Sequence, residues 1–234
     1  MTSPVAYWVV IPAAGIGSRM QSDRPKQYLP LGDRALIEHT LDCFLGQPGL
    51  NGIVVSLAAD DPWWDQLACA RDPRIMRATG GRERADSVLA GLQQLLSQGA
   101  CVNDWVLVHD AARPNLAEAD LHNLLGTLVG DPVGGLLAVP VRDTLKCADA
   151  RGRVTSTPDR SLFWQAYTPQ MFRLGALHDA LTQALAAGAA ITDEASAMEY
   201  AGQAPRLVEG RADNIKVTRP EDLEWLARLS HSLP

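Results

Sequence analysis

Residues 9–31, VVIPAAGIGSRMQSDRPKQYLPL, constrain the fold of this chain more than any other stretch. A β-branched run, Val9-Val10-Ile11, stops at Pro12, and Ala13, Ala14, Gly15 and Gly17 follow with almost no side chain among them. A strand therefore runs into a tight, bare loop. Small residues let backbone come close to a ligand, and successive N–H groups in such a turn form a concavity for an anion. Arg19 and Lys26 add two cations, which suits a polyphosphate better than a single carboxylate. The familiar phosphate loops fit poorly. Met20 stands where a dinucleotide fingerprint needs its third glycine or alanine, and no Gly-Lys-Ser/Thr follows. The stretch reads as a triphosphate cradle, although its glycines alone also suit an ordinary strand-to-helix turn with solvated charges.

Strand and helix then alternate. Leu36, Ile37, Leu41, Phe44 and Leu45 recur at helical spacing before Pro48-Gly49, and residues 52–57 (GIVVSL) predict a strand. A helix-like stretch over 62–70 and a strand over 74–78 precede Gly80-Gly81. Val88, Leu89, Leu92, Leu95 and Leu96 mark one face of a long helix that stops at Gly99. Ser87 lies near its N-terminus, where a hydroxyl either caps the helix or hydrogen-bonds a ligand over the glycine turn.

WVLV at 105–108 is the most strand-like run and leads into His109-Asp110-Ala111-Ala112-Arg113-Pro114. Ligands of an open parallel sheet sit beyond the carboxyl ends of its strands, so Asp110 is placed to hold a metal ion, or else to cap the following turn. Magnesium takes one or two protein carboxylates and completes its shell with phosphate and water, so a lone Asp110 is sufficient. His109 is one of five scattered histidines with no ligand-like spacing and reads as structural.

Leu121, Leu124, Leu125 and Leu128 predict a helix, and residues 134–140 (GGLLAVP) a buried strand. From Val141 the texture changes. Residues 144–146 and 154–156 flank a polar Asp149-Ala150-Arg151-Gly152 turn, which is hairpin chemistry with little apolar surface. A two-stranded arm is marginal alone, so it should pack on something, a second subunit being one candidate. Phe163, Trp164 and Tyr167 suit such an interface or equally the same subunit. A helix over 174–187, another opening at Thr192-Asp193-Glu194, short strands over 207–209 and 215–217, and a Thr218-x-x-Glu221 capping box with Pro220 complete the pattern. The expectation is one α/β domain over residues 1–234, with a mostly parallel twisted sheet and a protruding β-arm at about 141–168.

A net charge of −6 argues against nucleic acid as a general partner, so cations must gather where anions bind. Arg19, Lys26, Arg113, Arg160 and Lys216 are the candidates. Cys43, Cys69, Cys101 and Cys147 form no C-x-x-C pair, which fits a reduced compartment and argues against a zinc knuckle or redox motif. There is no basic leader and no apolar run long enough to span a bilayer, so a soluble, cytoplasmic protein with no membrane contact is expected.

The segments PAAGIGSRM, PKQYLPLG, GGRERADSVLAGL, VHDAARP, PVRDTLK, TPQMF, ITDEASAMEY and VEGRADNIKVTRPEDL, in that order, closely resemble the 2-C-methyl-D-erythritol 4-phosphate cytidylyltransferase family. The resemblance implies a Rossmann-like nucleotidyltransferase that joins CTP to a methylerythritol phosphate in the non-mevalonate isoprenoid pathway. It implies CTP binding at Ala13, Ala14, Gly15, Gly81, Arg82 and Ser87, with the backbone at Gly81 and Arg82 reading the cytosine edge. Arg19 and Lys26 match the pair that stabilises the triphosphate in the transition state, and Asp110 matches the aspartate for Mg2+ or another divalent cation. Arg113, Thr144, Arg160, Thr168, Thr192 and Lys216 match sugar-phosphate positions, with Asp110 beside them and Lys216 also serving catalysis. In a homodimer exchanging its arms, Thr144 and Arg160 would act in the neighbouring site. Arg82 stands where some relatives carry an acidic residue, and Asp213 is a possible second metal contact. With the chain ending near residue 234, no fused cyclase domain is expected. Alternatives are a ribitol 5-phosphate cytidylyltransferase and a catalytically silent CTP-sensing module.

Overall fold

The structure is a computed structural model that describes residues 4–15 and 23–230. In chain order its elements are β1 (Tyr7–Pro12), a two-stranded ribbon of β2 (Pro30–Leu31) and β3 (Arg34–Ala35), α1 (Leu36–Leu45), β4 (Leu50–Leu57) and β5 (Ile75–Thr79). Then come α2 (Arg84–Ser97), β6 (Trp105–Val108), α3 (Glu118–Leu128), β7 (Gly134–Pro140), β8 (Cys147–Ala148) and β9 (Val154–Ser156). The chain continues through β10 (Trp164–Arg173), α4 (Leu174–Ala186), α5 (Glu194–Tyr200), β11 (Arg206–Glu209) and α6 (Pro220–Ser230).

Seven strands form one sheet in the order β11-β7-β10-β6-β1-β4-β5. All neighbours run parallel except β10, which is antiparallel to both β6 and β7. The alternation of a strand explains the layers: Val9 and Ile11 face one side and Val10 the other. Val9 and Ile11 share a core with Ile37, Leu41 and Phe44 of α1 and Leu121 and Leu124 of α3. Val10 packs with Val88 and Leu92 of α2 and Leu177 and Leu181 of α4. Helices thus cover both faces, as a mostly parallel sheet requires. The α2 helix lies so close that a Cβ on Gly91 would stand 2.5 Å from Val10 Cγ1.

Several expectations are corrected in detail. Residues 62–70 hold two short 3-10 turns, Trp64–Gln66 and Ala68–Arg71, separated by an extended Leu67. The Asp61 carboxylate accepts from the amides of Trp63 and Trp64 and starts this turn, while Trp64 is driven into the core. In the hairpin, Asp149 closes a tight turn by donating its N–H to Arg153 O, so the first arm strand is Cys147–Ala148 and not 144–146. The central sheet resumes at Trp164, which pairs with Pro140, so residues 164–168 of the expected arm lie in β10. Residues 215–217 form no strand, because Val217 makes a single ladder-like bond, its N–H to Ala112 O at 2.8 Å. The box at α6 is closed by Asp222, which accepts from Thr218 and Arg219 amides, one position later than Glu221. Tyr167 packs back into its own chain beneath Arg113, whereas Phe163 and Trp164 remain exposed.

Candidate active site

The carboxyl ends of β1, β4, β5 and β6 converge. Ala13 donates its N–H to Ser56 O at 2.8 Å, and Gly80 donates to Leu57 O at 2.7 Å, so the cradle and the glycine turn rise side by side from the sheet. A Cβ on Gly80 would lie 2.5 Å from Ala14 Cβ, a separation that only glycine permits. Gln27, which sequence reasoning left unused, braces the cradle from below by donating Nε2–H to Ala13 O at 2.6 Å.

Between these loops is a cavity of about 280 Å³. Its lining includes Ala13, Ala14 and Gly15 from the cradle, Lys26, and Gly81, Arg82 and Ser87 from the far wall. Ser87 does not cap α2. Its hydroxyl donates to Glu83 O and accepts from the Gly81 N–H, both at 3.2 Å, which fixes the turn. Asp86 supplies the cap by accepting from the Glu83 N–H.

Asp110 and Lys216 form the floor. The Asp110 carboxylate is buried and meets three cations: Arg84 Nε at 3.1 Å on Oδ1, with Lys216 Nζ at 3.0 Å and Arg113 Nε at 3.3 Å on Oδ2. Burial alone would raise its pKa, but Arg84, Lys216 and Arg113 outweigh it and hold the carboxyl well below the usual range. Arg84 is shared with the buried Glu194, and these two carboxylates overcome its own burial and push the guanidinium pKa further up. Arg113 is fixed by Asn214 O, which accepts from Nη1 at 2.6 Å, and by the Tyr167 ring beneath it at 4.5 Å.

The sequence candidates divide into four groups. Ala13, Ala14, Gly15, Lys26, Gly81, Arg82, Ser87, Asp110 and Lys216 line the cavity; Arg113 and Thr168 touch Asp110 from behind. Thr192 lies on the exposed approach to Glu194, and Thr144 and Arg160 sit on the exposed arm, none of them lining the cavity. Arg160 donates to Arg142 O. The carboxylate of Asp213 is gripped by Arg211 and is also absent from the lining. Arg19 lies outside the described residues. Arg84 and Glu194 were not singled out: each is one charged residue among several in its segment, and only the fold shows that they meet.

An open α/β sheet that gathers a bare anion-receiving loop, a glycine turn and a set of cations around one carboxylate defines a nucleotidyltransferase. The chain belongs to the 2-C-methyl-D-erythritol 4-phosphate cytidylyltransferase family, which it matches over residues 7–229. It is 71% identical over 221 residues to the 2-C-methyl-D-erythritol 4-phosphate cytidylyltransferase of Pseudomonas putida strain W619, covering 94% of each chain. The enzyme of that name from Ectopseudomonas mendocina strain ymp is 71% identical over 220 residues, again with 94% of each chain covered. Among solved structures, a 4-diphosphocytidyl-2C-methyl-D-erythritol synthase superposes with a TM-score of 0.83 at 39% identity, covering 97% of this chain and 99% of that one. The Francisella tularensis 2-C-methyl-D-erythritol 4-phosphate cytidylyltransferase gives 0.81 at 34% identity, covering 94% and 98%.

Proposed function

We propose that the chain transfers the cytidylyl group of CTP to 2-C-methyl-D-erythritol 4-phosphate, giving 4-diphosphocytidyl-2-C-methyl-D-erythritol and pyrophosphate in isoprenoid precursor biosynthesis. The observation that carries this reading is the collection of Lys216, Arg84 and Arg113 around Asp110, beneath a cavity walled by the cradle and the glycine turn.

A phosphate oxygen of the polyol must attack the α-phosphorus of CTP while the bond to the β-phosphate breaks and pyrophosphate leaves. Every participant is an anion, so repulsion is the main obstacle. Positioned cations supply most of the rate, and no covalent nucleophile is needed. Lys26, on the cavity wall, neutralises charge on the α-phosphate and the leaving group, together with Arg19. Lys216 draws in the attacking phosphate, with Arg113 behind it. Ala13, Ala14 and Gly15 offer backbone to the triphosphate, and Gly81 and Arg82 offer theirs to the base.

The donor chemistry at Asp110 fits a hard cation. It is a carboxylate at the cavity floor, and among the described residues no cluster of three or more His, Cys, Asp or Glu would hold a metal by protein ligands alone. Asp110 would hold Mg2+, or another divalent cation, which would offset phosphate charge and polarise the α-phosphate.

Thr144 and Arg160 belong to this reading through a homodimer in which the arm reaches the neighbouring site. Leu162, 79% exposed, and Phe163, 43% exposed, supply apolar surface for such a contact. Among the described residues no helix is long and apolar enough to cross a membrane. We place the activity in the cytoplasm, where CTP is made. The test is pyrophosphate release with CTP and magnesium, comparing methylerythritol 4-phosphate with ribitol 5-phosphate. Release dependent on the first substrate supports the proposal, and release only with the second moves the chain to another polyol.

A further inference from the structure

Behind Asp110 lies a buried polar chain that the transfer chemistry does not itself use. His109 is fully buried, its ring edge-on to Phe44 with centroids 5.2 Å apart. Its Nε2 is 2.9 Å from Arg113 O, and a carbonyl only accepts, so Nε2 carries a proton. A ring shut away from water and facing no carboxylate holds a single proton, already on Nε2, so Nδ1 is bare. Nδ1 is 3.0 Å from Thr168 Oγ1 and must therefore accept the threonine proton. The same Oγ1 accepts from the Asp110 N–H at 3.1 Å.

The hydrogen bonds consequently run in one direction, from the Asp110 amide through the Thr168 hydroxyl and the His109 ring to the Arg113 carbonyl. One threonine and one histidine hold both ends of the four-residue turn that aims the Asp110 carboxylate and the Arg113 guanidinium. Arg113 N–H closes the turn from inside on Asp110 O at 3.0 Å. Thr168 also receives the side chain of Asn214 on its carbonyl at 2.8 Å, which ties the same unit to the segment bearing Lys216.

We infer that His109 is a positioning residue for the sugar-phosphate side of the site, acting through Thr168 and Arg113. The only proton on the Thr168 hydroxyl is spent on His109, so this group cannot donate to a phosphate. The inference rests on the cytidylyl-transfer reading.

The test is a double-mutant cycle of His109→Phe and Thr168→Val, measured as pyrophosphate release with separate KM values for CTP and the polyol phosphate. Each single variant is expected to lower kcat and raise the polyol-phosphate KM, together on the order of tenfold or more, as for a misaimed reacting group. The CTP KM should stay within about twofold, and the double variant should be no worse than the poorer single one. Thr168→Ser should restore most activity. Phe44→Leu loosens the packing on the same ring without touching the hydrogen bonds, so it should lower the melting temperature and leave both KM values unchanged. Where the Phe variant does not fold, His109→Asn takes its place, keeping an acceptor toward Thr168 but losing the reach to Arg113, with a smaller effect of the same kind. Wild-type kinetics in the folded His109 variant, full additivity in the cycle, or an equal rise in both KM values would overturn the role. A wild-type chain that releases no pyrophosphate with either polyol would overturn the cytidylyl-transfer reading, and this role with it.

Discussion

Arg84 and Glu194, 110 residues apart in the chain, meet through two parallel hydrogen bonds of 2.6 and 3.1 Å. Glu194 is 1% exposed, so nearly all of its compensation comes from this one guanidinium, which also reaches Asp110. Removing Arg84 strands the buried Glu194, while Asp110 keeps Lys216 and Arg113. Arg84→Met should therefore destabilise the chain by about 3–5 kcal/mol in urea unfolding. Adding Glu194→Gln should recover part of the loss, and strict additivity of the two would disprove the coupling.

Lys26 makes a contrasting case. It donates to Val217 O at 3.3 Å from the cavity wall, a contact of modest worth to the fold. Lys26→Ala should cut turnover on the order of a hundredfold or more while changing stability by about 1 kcal/mol or less. An unchanged rate of pyrophosphate release would remove Lys26 from the catalytic set.

Gly80 tests the fit between the two loops. Alanine there drives its methyl against Ala14 Cβ and pushes the cradle away from the glycine turn. The CTP KM is expected to rise on the order of tenfold, with the polyol-phosphate KM nearly unchanged. Isothermal titration with CTP reads the same effect without turnover.

Stability should depend on pH through His109. Burial lowers its pKa from 6.5 to about 4. Between those values the unfolded chain binds a proton that the folded chain refuses, so stability is full above about 6.5 and falls as the pH drops toward 4. The loss from this group is about 3 kcal/mol. Asp110, with its pKa depressed, adds a further loss only as the pH falls below the ordinary carboxylate range. Urea unfolding at pH 7 and pH 4.5 checks the sign: the stability difference between wild type and His109→Phe should shrink at the lower pH.

The loops that wall the cavity were legible because their signal is local. Bare loops at strand ends carry their signal within a few residues, as Ala13 to Gly15 and Gly80-Gly81 do, and the succession of strand and helix patterns pointed to a mostly parallel sheet. Asp110 could be placed for the same reason, at the end of a four-residue apolar strand. The rest depends on pairs far apart in sequence. Nothing near Arg84 announces Glu194, and nothing near His109 announces Thr168, because only strand order brings them together. The arm boundary was misjudged because Trp164 reads as exposed aromatic surface until β7 supplies its ladder. The missing strand at 215–217 has the opposite origin: Val217 is buried and bonds to Ala112 in a turn, Ile215 is only partly buried, and neither has a strand to pair with.

The reversed strand β10 has a bearing on how the molecule assembles. It is the strand that sits between β6 and β7 in the sheet, and it leaves the synthetic machinery after both of them. A growing chain that has passed residue 140 but not 173 therefore displays two unsatisfied strand flanks facing an empty slot. Such flanks are templates for wrong partners, including the same strands of a neighbouring nascent chain. Vulnerability to aggregation at this slot is thus concentrated in one interval of synthesis, and it closes when the segment that carries Thr168 slides into place, leaving the outer flank of β7 to β11.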